Sequence, residues 1–174
     1  LRLVGSEMCI RDRPEAVINY STTGFNGMSQ TFHKIYQNQL VPAPWRNKER
    51  PILLNTWEAN YFDFQEEELL RQADLAKDTG IELFVLDDGW FGQRKDDTSS
   101  LGDWVDDREK LPHGVAGLAQ EIHKKGMKFG LWFEPEMVSK NSRLFEEHPD
   151  WVLQVPEYPL TEGRNQFVLS LIHI

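Results

Sequence analysis

Residues 81–92 read IELFVLDDGWFG: an apolar run that ends abruptly in two aspartates, a glycine and a tryptophan. Apart from Glu82, residues 81–86 are apolar, the composition of a parallel strand covered on both faces. Asp87 and Asp88 then stand at the strand's C-terminal end. Gly80, just before the run, supplies a left-handed helix stop. The stretch therefore predicts a strand entered from a helix and left through a polar loop, the unit from which α/β proteins are built.

Upstream, residues 66–77 (EEELLRQADLAK) predict a helix with Leu69, Leu70, Ala73 and Ala76 on one face. Its acidic opening and Lys77 near its end suit the helix dipole. Residues 52–56 (ILLNT) predict the preceding strand, which ends at Trp57. Downstream, a long polar loop leads to a helix over 115–125, with Val115, Leu118, Ala119 and Ile122 facing inward and Gly126 closing it. Residues 128–133 (KFGLWF) predict a third strand, 139–148 a third helix, and 167–169 the start of a fourth strand. Helix-to-strand turns are short, whereas strand-to-helix loops are long and rich in Asp, Trp and Glu. In (β/α) barrels the chemistry gathers at that second set of loops. A doubly wound open sheet gives the same pattern.

Before this rhythm, residues 14–39 predict an extended stretch and then a helix, with Phe32, Ile35, Tyr36 and Leu40 in one stripe. Residues 41–51 (VPAPWRNKERP) combine three prolines with charge and read as a linker. The expected organisation is 14–50 as the end of one domain plus linker, and 51–169 as a partial catalytic domain. Residues 1–13 (LRLVGSEMCIRDR) have no clear period, residues 170–174 (SLIHI) stop abruptly after a promising strand, and both resemble translated adapter sequence. Both are expected to be non-native flanks.

The 174 residues suit one compact domain, yet a complete (β/α)₈ barrel needs roughly 250. A net charge of −9 disfavours nucleic acid and anionic membranes as partners. No apolar run approaches the roughly 20 residues of a membrane span. The single cysteine, Cys9, excludes an internal disulfide framework and a Cys-based zinc site. No charged-then-apolar leader opens the chain, an absence of little weight because the true N-terminus is taken to be missing; a cytoplasmic location is the expectation.

Two adjacent carboxylates after an apolar strand are costly to bury without partners. Sugar hydroxyls can serve, because one ionised carboxylate accepts several hydrogen bonds. Strand side chains alternate faces, so Asp87 and Asp88 reach one ligand only if the chain bends, which Gly89 permits. The plainer alternative is a loop cap or a pair with a nearby arginine. Trp57 and Trp132 close two predicted strands, and indole faces suit the C–H face of a pyranose. Core packing is the competing role for each. Glu134 and Glu136 offer a carboxylate pair for acid–base work, although a structural role at the rim is preferred. Arg164 presents a rigid donor fork for hydroxyls or for Asp87 or Asp88. His113, His123 and His148 fall on loops or helices, so a His-based metal site is not expected.

Six motifs stand in order over residues 14–169: GFNGMSQ (24–30), NTWEA (55–59), LDDGWFG (86–92), SLGDW (100–104), GLWFEPEM (130–137) and EGRNQ (162–166). Together they resemble glycoside hydrolase family 36, the α-galactosidases with a β-sandwich, a catalytic barrel and a smaller C-terminal β-domain. The resemblance implies an internal fragment: three to four β/α units of a TIM (β/α)₈ barrel, preceded by the tail of a β-sandwich. It implies that Asp87 and Asp88 bind galactose hydroxyls, that Trp57 and Trp132 border the sugar subsite, and that Arg164 faces the sugar. It also implies a retaining mechanism on terminal α-D-galactosyl residues of sugars such as melibiose and raffinose, with no cofactor and no metal, and it leaves room for a homo-oligomeric parent.

In the family the nucleophile is the Asp of a Lys-Trp-Asp motif, and the acid/base is a later Asp. This sequence has no Lys-Trp-Asp, so no catalytic residue is assigned and the chain alone is expected to be inactive. A non-catalytic carbohydrate-binding piece, another barrel glycosidase, and a metal-assisted hydrolase using Asp87, Asp88 and Glu134 are the alternatives.

Overall fold

A computed structural model describes residues 17–155, 157–160 and 163–170. The expected flank 1–13, residues 14–16 of the expected extended stretch, and 171–174 of the second flank lie outside the described residues. The chain divides between Arg50 and Pro51 into two compact units.

In the first unit, helix α1 (Gly24–Ile35) runs on into a π-helical turn (Tyr36–Leu40). Phe32 stacks on Tyr36 at 5.9 Å, one turn apart. No residue of α1 is buried. Pro42 then leads a short 3-10 turn (Ala43–Trp45), and the charges of Lys48 and Arg50 lie over the Trp45 ring.

The second unit carries a parallel sheet in the order β1 (Leu53–Asn55), β2 (Leu83–Leu86), β3 (Lys128–Leu131). Leu54 pairs with Phe84, and Leu86 with Leu131. A short helix α2 (Trp57–Asn60) follows β1, and the longer α3 (Glu66–Asp78) and α4 (Gly114–Lys124) lead into β2 and β3. Helix α3 opens on Glu66, Glu67 and Glu68, and Gly80 ends it at φ 86°. Gly126 closes α4 in the same way.

The core explains the order. Phe84 and Leu86 are buried with Leu69, Ala73 and Ala76 of α3 and Leu118 and Ile122 of α4. Each such leucine contributes about 1.5–3 kcal/mol relative to an exposed one. Leu83 and Val85, on the alternate positions of β2, are only half-buried. The sequence predicts a strand covered on both faces; here the helices cover one.

Two further expectations are corrected. The third helix spans only Arg143–Glu147 (α5), and Ser139 ends a strand, β4 (Met137–Ser139). The fourth strand, β5 (Gln166–Val168), pairs antiparallel with β4 and does not extend the parallel sheet. Both changes share a cause. Val138, Val152, Phe167 and Leu169 form a small second core, against which Leu144 and Phe145 pack. Ser139 is fixed by Leu101: its N–H donates to the Leu101 carbonyl, and its Oγ accepts the Leu101 N–H.

Candidate functional site

The polar residues that the sequence places after β1, β2 and β3 meet at the C-terminal edge of the parallel sheet. The ladder carries on past the strands, with Thr56 N donating to Val85 O and Trp132 N donating to Leu86 O. Thr56 Oγ1 accepts the Asp87 N–H, and Asn55 Nδ2 donates to Asp87 Oδ2 at 2.5 Å. Asn55 Oδ1 also accepts the Trp57 N–H. One amide side chain thus fixes Asp87 and the start of α2 together.

Asp88 is only 6% exposed. Its Oδ1 accepts Gly89 N–H at 2.7 Å and Arg94 Nε at 2.8 Å, while Oδ2 accepts Arg94 Nη2 at 2.7 Å. Such a two-pronged charge-assisted pair is among the strongest polar contacts a protein makes. Gly89 adopts φ 96°, and a Cβ there would press on Phe62 and Phe64. Lys110 pins the same loop, its ammonium donating to the carbonyls of Phe62, Gly89 and Arg94 at 2.8–2.9 Å. Burial pushes the Lys110 pKa below the ordinary lysine value, and the charge of Asp107 opposes that shift.

Counting lone pairs shows what the aspartates can still do. An ionised carboxylate offers about four acceptor sites. Asp87 spends one on the Asp88 N–H and one on Asn55, while Asp88 spends three. Among the described residues the pair therefore keeps three open acceptor positions, two on Asp87 and one on Asp88 Oδ2.

The two indoles connect to the Asp88–Arg94 pair through other rings: Trp57 meets Phe62 and Trp132 stacks on Phe91, and the Arg94 guanidinium lies near both of those phenyl rings. Trp57 is half-buried and meets Tyr61 and Phe62 edge-on, each at 5.1 Å. Trp132 stacks on Phe91 at 6.4 Å and joins Trp104 and Trp90 in one cluster. Buried Trp90 donates its Nε1–H to the Trp132 carbonyl at 3.0 Å.

Arg164 lies elsewhere than on the aspartates. With Asn165 it forms a two-residue hairpin loop, both at positive φ (53° and 56°), closed by reciprocal Gly163–Gln166 bonds. Its side chain is exposed and approaches Asp97 at 3.9 Å. The arginine on Asp88 is Arg94. Glu134 nevertheless feels this neighbourhood: burial raises its carboxyl pKa, the charge of Glu136 adds to that, and Arg94 and Arg164 pull it down. His113 is engaged by Glu66 and His148 stacks on Trp151. Among the described residues no group of three His, Cys, Asp or Glu is placed to hold a metal ion.

Sequence reasoning missed Asn55, Arg94 and Lys110. Asn55 carried a signal, since a polar residue facing Asp87 across neighbouring strand ends is predictable from parallel register. Arg94 and Lys110 carried none, because each lies in a long polar loop without period.

A parallel β/α sheet with carboxylates and indoles at the C-terminal ends of its strands defines the chain as an α/β protein. The Melibiase family model matches residues 11–173, and the chain belongs to that family. It is 58% identical over 157 residues to the α-galactosidase AgaA of Geobacillus stearothermophilus, an alignment covering 90% of this chain and 22% of the relative. It is 49% identical over 158 residues to Mel36A of Lactobacillus acidophilus, again covering 22% of that protein. Among solved structures, the glycoside hydrolase family 36 α-galactosidase AgaB of G. stearothermophilus superposes with a TM-score of 0.79 at 59% identity, covering 86% of this chain and 21% of AgaB. A doubly substituted AgaA in complex with raffinose gives 0.78 at 58%, covering 83% and 20%. The chain thus spans about a fifth of the length of the relatives it matches.

Proposed function

We propose that this chain is the sugar-gripping segment of a retaining α-galactosidase that removes terminal α-D-galactosyl residues from galacto-oligosaccharides. Residues 51–169 form the first part of its (β/α) barrel, and residues 14–50 the end of a preceding β-sandwich domain and the linker. The observation that carries this reading is the set of three open acceptor positions on Asp87 and Asp88 at the sheet edge where Trp57 and Trp132 also follow their strands. Hydroxyls of a pyranose donate to the carboxylates while its apolar face lies on an indole. In this reading Arg164, exposed on its hairpin, donates to the sugar as well. The raffinose complex of a relative supports an α-galactoside as the ligand.

The reaction needs two carboxyl groups roughly 5–5.5 Å apart, one attacking and one protonating the leaving group. In this reading both come from the rest of the enzyme, and the present residues bind and orient the galactosyl ring.

The test is a chimera in which residues 17–170 replace the matching stretch of AgaA. Turnover of nitrophenyl α-galactoside by the folded chimera, with none by the isolated chain, supports the reading. A folded chimera without turnover, or an isolated chain that hydrolyses the substrate, contradicts it.

A further inference from the structure

We propose that Arg94 is the positioning residue of the site, holding Asp88 in one orientation so that a single acceptor position on Oδ2 is left for a substrate hydroxyl. This inference rests on the galactosyl reading of the rim and deepens it.

Each guanidinium nitrogen of Arg94 has a partner. Nε and Nη2 fill one position on each Asp88 oxygen, and the Gly89 N–H fills the second position on Oδ1. The third guanidinium nitrogen, Nη1, donates to the Ser99 carbonyl at 2.7 Å. The guanidinium lies 5.7 Å from the Phe62 ring and 5.6 Å from the Phe91 ring, and Arg94 is 1% exposed. The main chain is held as firmly, since the Arg94 and Gly89 carbonyls share the Lys110 ammonium. An aspartate at a strand end turns freely about its side-chain bonds unless both oxygens are engaged. Here only the rigid fork engages both; lysine, a point charge on a flexible stem, cannot. With three of its acceptor positions filled, Asp88 offers a sugar hydroxyl one defined lone pair on Oδ2.

The experiment uses the same chimera with Arg94→Lys, Asp88→Asn and the double substitution, measuring kcat, KM and thermal midpoint. Arg94→Lys is expected to lower kcat/KM about ten- to hundredfold, chiefly through KM, the worth of one charged hydrogen bond. In the Asp88→Asn background the same change is expected to cost little more, because both act through one carboxylate. Fully additive losses, or a lowered thermal midpoint with unchanged KM, overturn the assignment and leave Arg94 a structural residue. An active chimera in which Arg94→Lys is kinetically silent ends this inference alone, whereas a folded but inactive unsubstituted chimera ends the functional reading as well. Should the Arg94 variants not fold, crystals of the unsubstituted chimera with 1-deoxygalactonojirimycin decide. The fork must remain on Asp88 with one ligand hydroxyl on Oδ2, and a ligand that displaces the guanidinium overturns the proposal.

Discussion

Asn55, the last residue of β1, donates its side-chain amide to Oδ2 of Asp87, the first residue beyond β2. Two neighbouring parallel strands are thereby joined at their C-terminal ends through side chains, and the same Asn55 accepts the Trp57 N–H. Asn55→Ala releases Asp87 and the start of α2 at once. Because the site is exposed, the expected stability loss is small, about 1 kcal/mol. The KM of the chimera for nitrophenyl α-galactoside should rise several-fold, read from Michaelis–Menten curves beside a denaturation series.

Asp87 and Asp88 should separate binding from stability. Asp88→Ala strands a guanidinium that is 1% exposed, and breaking such a buried pair costs about 3–5 kcal/mol. Asp87→Ala removes a half-buried group whose charge has no ion-pair partner among the described residues, and about 1 kcal/mol or less is expected. Both substitutions should weaken substrate binding. Equal destabilisation by the two, measured in urea, would argue against the asymmetry of the pair.

Trp90→Phe keeps most of the buried ring but leaves the Trp132 carbonyl without its donor. The expected cost is about 1–3 kcal/mol if water cannot replace the bond. A loosened Trp132 should also raise KM, while a variant with native midpoint and native KM would show that this bond positions nothing.

Glu134 supplies a pH test. Its folded-state pKa lies above the ordinary glutamate value, chiefly through burial. The folded state therefore holds its proton more tightly than the unfolded chain. The resulting stabilisation is fully present below the unfolded pKa and lost as pH rises through the folded pKa. Glu134→Gln should accordingly gain stability relative to the parent between acidic and neutral pH. Thermal midpoints at pH 4 and pH 7 check this, and a gap between the two proteins that does not widen would contradict it.

The sheet was legible because long periodic segments signal through burial. Leu69, Ala73 and Ala76, like Leu118 and Ile122, fall inward at helical spacing, and each helix ends on a glycine at positive φ. The second small core was not legible. Val138 and Phe167 lie on three-residue strands too short to show a period, so Ser139 read as a helix start and Phe167 as a barrel strand. The rim was half legible. Asp87, Asp88, Trp57 and Trp132 stand at strand ends by register alone, whereas the partner of Asp88 depends on how loop 89–94 folds. That path is set by Lys110, sixteen residues beyond Arg94, and no local pattern announces it.

A crystal structure of the chimera, its nucleophile replaced so that raffinose stays intact, bears most directly on the grip at the strand ends. The account predicts galactosyl hydroxyls on Asp87 and on Asp88 Oδ2, with the ring face against Trp57 or Trp132. Raffinose bound away from those side chains, with Asp87 and Asp88 contacting protein alone, would contradict it.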